Sequence, residues 1–79
     1  MLRNEADRLL AIALRAELDA DKLTKLATIR ALLADRLQAR NDPRADRATR
    51  SAAFTARAAT IAADDARAAR AEAAAWYKE

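Results

Sequence analysis

Large apolar residues in the first half of the chain recur at alternating steps of three and four residues. This spacing places them on one side of an α-helix and is typical of the a and d positions of a heptad repeat. The row consists of Leu9, Ile12, Ala16, Leu23, Leu26, Leu33 and Leu37. Asp19 and Arg30 interrupt it with polar side chains. The pattern predicts one long helix from about residue 2 to residue 41.

A row of alanines runs beside this leucine row at a strict spacing of seven residues. Its members are Ala6, Ala13, Ala20, Ala27 and Ala34. Leu10, Leu14, Leu18, Ile29 and Leu32 lie outside both rows, and a helix that is apolar on several sides must be covered on several sides. The segment around Asp19 and Asp21 contains residues that favour helix starts over helix interiors. The alternative is therefore a three-helix chain, over about 2–18, 21–41 and 43–78.

The second half of the chain is built on alanine. One strict heptad row comprises Ala45, Ala52, Ala59, Ala66 and Ala73, and its d partners are Ala48, Thr55, Ala62, Ala69 and Trp76. A period of seven against 3.6 residues per turn predicts a left-handed supercoil. We expect the leucines of the first helix to pack against these small side chains. The residues predicted to form the helix-packing or oligomer interface are Leu9, Ile12, Leu23, Leu26, Leu33, Leu37, Ala45, Ala52, Ala59, Ala62, Ala66, Ala69 and Ala73.

The only strong helix-breaking signal is the segment Arg40-Asn41-Asp42-Pro43-Arg44, which holds the single proline of a chain without glycine. Pro43 has no backbone N–H and disfavours helical conformation at the residue before it. We therefore predict a turn at Asn41, Asp42 and Pro43, and a second helix over about 43–78 with Asp42 as its N-cap. The sequence predicts an all-α antiparallel helical hairpin that forms a single domain over residues 1–79.

A long two-helix hairpin has one contact seam and leaves its other apolar rows exposed to water. Exposed apolar surface of that extent usually marks an interface. The 79 residues include no cysteine or histidine, so disulfides and most metal sites cannot stabilise the fold. We therefore expect self-association into a multi-helix bundle, most simply a two-fold dimer. Charged residues make up 34% of the chain, and neither a membrane span nor a signal peptide is expected, so the protein should be soluble.

Candidate chemistry is sparse. Ser51, the only serine, has no neighbouring base, so we expect neither nucleophilic catalysis nor any other enzyme activity. No glycine-rich loop is available to bind phosphate, and no cofactor or small-molecule ligand is predicted. A hairpin folded about residue 42 brings Asp19, Asp21, Asp64 and Asp65 to one level, where they could bind a hard cation. Neighbouring arginine and lysine side chains would neutralise them, so no metal site is predicted.

Arginines cluster near the turn. The possible basic patch consists of Arg36, Arg40, Arg44, Arg47 and Arg50. Such a patch could bind the phosphate backbone of a nucleic acid, but no aromatic side chains interleave with it to stack bases. Arginine near a helix C-terminus also complements the helix dipole. Arg30, within the leucine row, either extends its charged end into water or pairs with an aspartate of another chain.

In architecture the chain resembles the small RNA-binding hairpin dimers of the Rop type, although it shares no motif with them and no residues carry over. It also resembles de novo designed helical proteins in its missing Gly, Cys, His and Val, its strict alanine rows, its Asp-Pro turn and its terminal Trp76-Tyr77. The resemblance implies a structural, self-assembling homo-oligomeric scaffold. The alternatives are a protein-binding helical module and a Rop-like nucleic-acid-binding hairpin that uses the arginine cluster.

Overall fold

The computed structural model describes residues 2–77. It contains two α-helices, α1 (Leu2–Ala39) and α2 (Ala45–Tyr77), which lie side by side in antiparallel directions. The molecule measures 59 × 13 × 13 Å, in agreement with about 57 Å for a helix of the length of α1 at 1.5 Å per residue. No strand occurs in the described part of the chain. The all-α antiparallel hairpin predicted from the sequence is confirmed.

Helix α1 passes through the aspartates near its middle without a break, so the three-helix alternative is wrong. Asp19 and Asp21 are both exposed and do not cap a helix start. Asp21 instead pairs with Lys25 one turn later, at 3.0 Å, an arrangement that supports a helix. The Thr24 hydroxyl donates a hydrogen bond to the carbonyl of Ala20 at 2.8 Å. Local polar groups are thus satisfied within one continuous helix.

The turn ends α1 with a backbone motif that needs a left-handed residue. Asn41 has a positive φ of 54°, a conformation that asparagine tolerates better than most residues. Its N–H bonds the carbonyl of Gln38 at 3.0 Å, and the N–H of Asp42 bonds the carbonyl of Leu37 at 2.9 Å. This pair of bonds is a Schellman motif, which satisfies the last carbonyls of a helix. It ends α1 at Ala39, two residues before the predicted boundary.

Asp42 lies just before α2 and accepts hydrogen bonds from Arg44. Its Oδ1 accepts a hydrogen bond from the backbone N–H of Arg44 at 2.8 Å, and its carboxylate also accepts from Nε and Nη2 of the Arg44 guanidinium, at 3.0 and 2.9 Å. The side-chain and backbone hydrogen bonds from Arg44 lower the pKa of Asp42 to about 2. Regular helix begins at Ala45, two residues after the predicted start at Pro43. The predicted end at residue 78 lies outside the described residues.

The two helices meet along two alanine rows, which we call the alanine seam. The seam consists of Ala6, Ala13, Ala20, Ala27 and Ala34 from α1 and Ala45, Ala52, Ala59, Ala66 and Ala73 from α2. All of them are buried except Ala27, which is half-buried. Both rows keep a spacing of seven residues along the contact between α1 and α2. Small side chains at the centre allow close helix approach.

The leucine row of α1 lies beside the alanine seam and is partly buried. Leu37 is buried and Leu9 and Leu23 are half-buried, so this half of the row lines the contact with α2. Ile12, Leu26 and Leu33 lie further from the centre of the contact, because 37–52% of each residue is exposed, and their role in an interface stays a prediction. The physical reason is that the alanine row occupies the centre of the contact. A leucine row in that place would hold the helices further apart.

Candidate interaction surface

One side of the hairpin carries three of the polar contacts that connect the two helices, and we call it the polar face. It consists of Asp7, Glu17 and Gln38 in α1 and Thr49, Arg70 and Tyr77 in α2. The Tyr77 hydroxyl donates to Asp7, and Gln38 Nε2 donates to the Thr49 hydroxyl at 3.3 Å. These bonds lie at opposite ends of the molecule, so the polar face extends along its whole length.

The strongest connection on the polar face is a bidentate ion pair. Nε and Nη2 of Arg70 donate to the two carboxylate oxygens of Glu17, at 2.7 and 2.8 Å. These hydrogen bonds lower the pKa of Glu17 and raise the pKa of Arg70. Exposed pairs of this kind contribute little stability. The pair therefore fixes how the helices align more than it holds them together.

Near the middle of the polar face lies a shallow groove with small side chains. Thr24 and Thr28 line it from α1, and Ala56 and Thr60 line it from α2. The hydroxyls of Thr24, Thr28 and Thr60 donate to carbonyls of their own helices, so they are already engaged. Arg67 also lines the groove and pairs with Asp64. The groove therefore offers no bulky apolar contacts to a ligand.

The opposite side of the hairpin is apolar, and we call it the apolar face. It consists of Leu26, Ile29 and Leu33 in α1 and Phe54 and Ile61 in α2. These side chains are large, and their exposed fractions run from 37% for Leu26 to 75% for Phe54. A large apolar surface that spans two rigid helices is the strongest functional signal in the described part of the molecule.

Helix geometry and surface grooves place these five residues on one side. Leu33 lines a groove together with Arg47 and Ser51 of α2, and it shares a second groove with Ile29. Phe54 follows Arg47 by seven residues, and Ile61 follows it by fourteen. Because the alanine seam keeps a period of seven, residues at that spacing remain on the same side of the hairpin. Leu26, seven residues before Leu33, belongs to the same side.

Four other large apolar residues are exposed in α1 outside this face. Ile12 shares the row of Leu26 and Leu33 but is separated from them by Asp19. Leu14 lies in the row of Asp7 and Thr28, on the side of the polar face, and 48% of it is exposed. Leu18 and Leu32 lie on the outer side of α1, with 63% and 58% exposed, and Leu32 borders the groove of Ile29 and Leu33. In the described part of the chain, the apolar face is the side on which both helices carry large exposed apolar side chains.

A polar contact that the sequence did not reveal lies within the seam. Nη1 of the half-buried Arg30 donates to the hydroxyl of Thr55 at 2.6 Å, and the same hydroxyl donates to the carbonyl of Ser51 at 2.9 Å. Thr55 is only 2% exposed. Arg30 therefore reaches across to the opposite helix, a contact that was not predicted. Both residues interrupt apolar rows at nearly the same level, but whether they meet depends on the relative rotation of the two helices.

The predicted interface residues fall into two groups. In α2, Ala45, Ala52, Ala59, Ala66 and Ala73 lie buried in the alanine seam, and Ala62 and Ala69 are half-buried beside it. In α1, Leu9, Leu23 and Leu37 line the seam, whereas Ile12, Leu26 and Leu33 are exposed. Leu26 and Leu33 are available for contact with another molecule, and their role in an oligomer interface stays a prediction.

The arginines of the possible basic patch are all exposed around the turn. The side chain of Arg44 is held by Asp42. Within residues 2–77, Arg36, Arg40, Arg47 and Arg50 have no carboxylate within 4.0 Å. The end of the molecule that contains the turn, which we call the hinge end, therefore presents unpaired positive charge.

The four aspartates predicted at one level are engaged separately or exposed. Asp21 pairs with Lys25 and Asp64 pairs with Arg67, while Asp19 and Asp65 are exposed. Among the described residues, no group of three or more acidic, histidine or cysteine side chains is arranged to hold a metal ion. Over the same residues, neither helix is long and apolar enough to cross a membrane.

Comparisons of the chain with protein-family models, with curated proteins and with solved structures found no match.

Proposed function

We propose that this protein is a structural, self-associating hairpin. In this proposal the apolar face of one copy packs against the apolar face of a second copy, and the two hairpins form a four-helix bundle. One observation supports it above the others. Five large apolar side chains are exposed on one side of the hairpin, while the polar bonds between α1 and α2 at Asp7, Glu17 and Gln38 lie on the other side.

The chemistry of the apolar face fits a second copy of the same chain. Its centre holds branched and aromatic side chains that can interdigitate with an equivalent surface. Unpaired arginines border its hinge end, and the carboxylates of Asp19 and Asp65 border its other end. A surface that carries both signs of charge around an apolar centre can be complementary to itself, as a two-fold interface requires.

The proposal is tested by molar mass in solution, measured by light scattering behind a sizing column over a hundredfold concentration range. We expect the wild-type chain to reach twice its monomer mass of 8.6 kDa. Phe54→Glu places a charge within the apolar face, and this variant should remain a monomer at concentrations where the wild type is a dimer.

Ala53→Glu is the matched control, because Ala53 is exposed next to Phe54 in the same helical turn but points away from the apolar face. It should dimerise like the wild type. A wild-type monomer at every concentration would refute the proposal and favour a protein-binding module instead. Equal effects of the two substitutions would refute the role of the apolar face.

A further inference from the structure

One row of α1 runs through the apolar face with opposite charges at its two ends. Its members, seven residues apart, are Asp19, Leu26, Leu33 and Arg40. Asp19 and Arg40 are both exposed. Within residues 2–77, neither side chain forms a hydrogen bond or an ion pair. The row therefore presents an unpaired anion, two leucines and an unpaired cation, at equal spacing.

The edge of α2 on the same side repeats this order of charge. Arg44 lies at the hinge end, and Asp65 and Glu72 lie towards the other end, with Ser51 and Ala58 between them at the same seven-residue spacing. These two rows thus carry arginine near the hinge, where Arg44 is paired with Asp42, and carboxylates away from it. The row of Ile29 carries cations at both ends, Lys22 and Arg36.

The large apolar residues of α1 and those of α2 are centred at the same level along the hairpin. The midpoint of Leu26 and Leu33 lies between residues 29 and 30, and the midpoint of Phe54 and Ile61 lies between residues 57 and 58. The hydrogen bond from Arg30 to Thr55 shows that these parts of α1 and α2 lie at nearly the same level. One axis perpendicular to the helices can therefore pass through both midpoints.

A two-fold axis at that position brings unlike groups together. It places Leu26 against Leu33 of the second copy and Phe54 against Ile61 of the second copy. Arg40 and Asp19 lie about 16 Å on either side of the axis, at 1.5 Å per residue, so each arginine faces an aspartate of the other copy. Ile12 lies beyond the overlap.

We infer that the dimer is antiparallel, with the two hinges at opposite ends and Arg40 of each copy paired with Asp19 of the other. This inference rests on the proposed self-association. A parallel dimer would instead place Arg40 beside Arg44 of the second copy and Asp19 beside Asp65. Such like-charge contacts disfavour an arrangement. The charge order therefore selects the antiparallel dimer over the parallel one.

A charge exchange tests the pairing. Asp19→Arg and Arg40→Asp each convert both interface pairs into like-charged pairs, so each variant should dimerise about tenfold more weakly or worse at low salt. In an equimolar mixture of the two variants, both pairs are again of opposite sign. Native mass spectrometry should then show the heterodimer in large excess over either homodimer. A statistical mixture, or single variants that dimerise like the wild type, would overturn the inference.

Asp35→Arg is the matched control for Asp19→Arg, because it makes the same change of charge at an exposed position of α1 outside the apolar face. It should leave dimerisation unchanged. Far-UV circular dichroism of all the variants should show wild-type helix content, since each substituted residue is exposed.

A distance measurement tests the orientation independently. A nitroxide attached at Ala11→Cys, an exposed position on the outer side of α1, lies about 28 Å along the helix from the inferred axis. Pulsed electron paramagnetic resonance should therefore give a separation of about 55 Å or slightly more between the two labels. A separation below about 40 Å in a dimeric sample would overturn this inference and leave self-association intact. A monomer by light scattering would overturn both.

Discussion

Replacement of Ala59 by leucine tests whether close helix approach depends on the alanine seam. Ala59 is 7% exposed and borders the same small-residue groove as Ala27 of α1. A leucine adds three carbon atoms at a position where the two backbones come close together. The helices must then separate or the side chain must adopt a strained rotamer, and either response weakens contacts along the seam.

The size of the effect follows from packing data on other cores. Overpacking a well-packed site costs about 1–3 kcal/mol. For a domain of 60–100 residues, each kcal/mol lowers Tm by about 4–8 °C. We therefore expect Ala59→Leu to lower Tm by about 4 °C at the least and about 24 °C at the most.

Thermal unfolding followed by far-UV circular dichroism measures this shift, with Ala71→Leu as the control. Ala71 is exposed on the outer side of α2, and alanine and leucine both rank high in helix propensity. Ala71→Leu should therefore change Tm little. Both variants must be compared at one protein concentration, because assembly makes Tm concentration-dependent. Equal Tm changes in the two variants would refute the assignment of the alanine seam.

Three further predictions concern polar groups and the turn. Thr55→Val removes the acceptor that the half-buried Arg30 uses and should cost about 1–2 kcal/mol in urea unfolding, since a donor loses its partner; an unchanged midpoint would show that water replaces the hydroxyl. Asp42 has a folded pKa of about 2, below its ordinary 3.8, so its contribution to stability is fully present above about pH 4 and is lost as the pH falls through about 2. Asp42→Asn should flatten that part of the curve of stability against pH, and a curve like that of the wild type would contradict this. Asn41→Val forces a β-branched residue into the left-handed conformation and should lower the free energy of unfolding by about 1–2 kcal/mol or more; equal stability in chemical denaturation would count against the turn geometry.

The hairpin could be predicted because its signals are local. Pro43 is the one strong helix breaker in a chain without glycine. The alanine rows before and after it both have a spacing of seven residues. The boundaries were less accurate, because the Schellman motif at Asn41 and the hydrogen bond from Arg44 to Asp42 depend on backbone conformation. The continuity of α1 at Asp19 and Asp21 was also not decided by the sequence. It depends on an exposed surface that tolerates aspartate and on the pair with Lys25.

The position of the seam was harder to predict, because α1 has more than one row that could face α2. Hydrophobicity favours the row that contains Leu26 and Leu33, whereas geometry favours the row of alanines. The structure places the alanines at the centre, so the larger side chains remain exposed on one flank. The bond between Arg30 and Thr55 was missed for a related reason. It needs the relative rotation of the two helices, which no pattern within a single helix contains.

The alanine seam has a consequence for how the register of the hairpin is specified. If α2 slides along α1 by seven residues, about 10.5 Å, four of the five alanines in each row again meet an alanine, and only the end alanine of each row loses its partner. Alanine also loses no rotamer entropy on burial, so the seam forms readily in either position. The native register is therefore selected by the five-residue turn and by single hydrogen bonds such as the one from Arg30 to Thr55. The alanine seam by itself therefore does not specify the register of the two helices. The short turn specifies it, because it limits how far α2 can shift along α1.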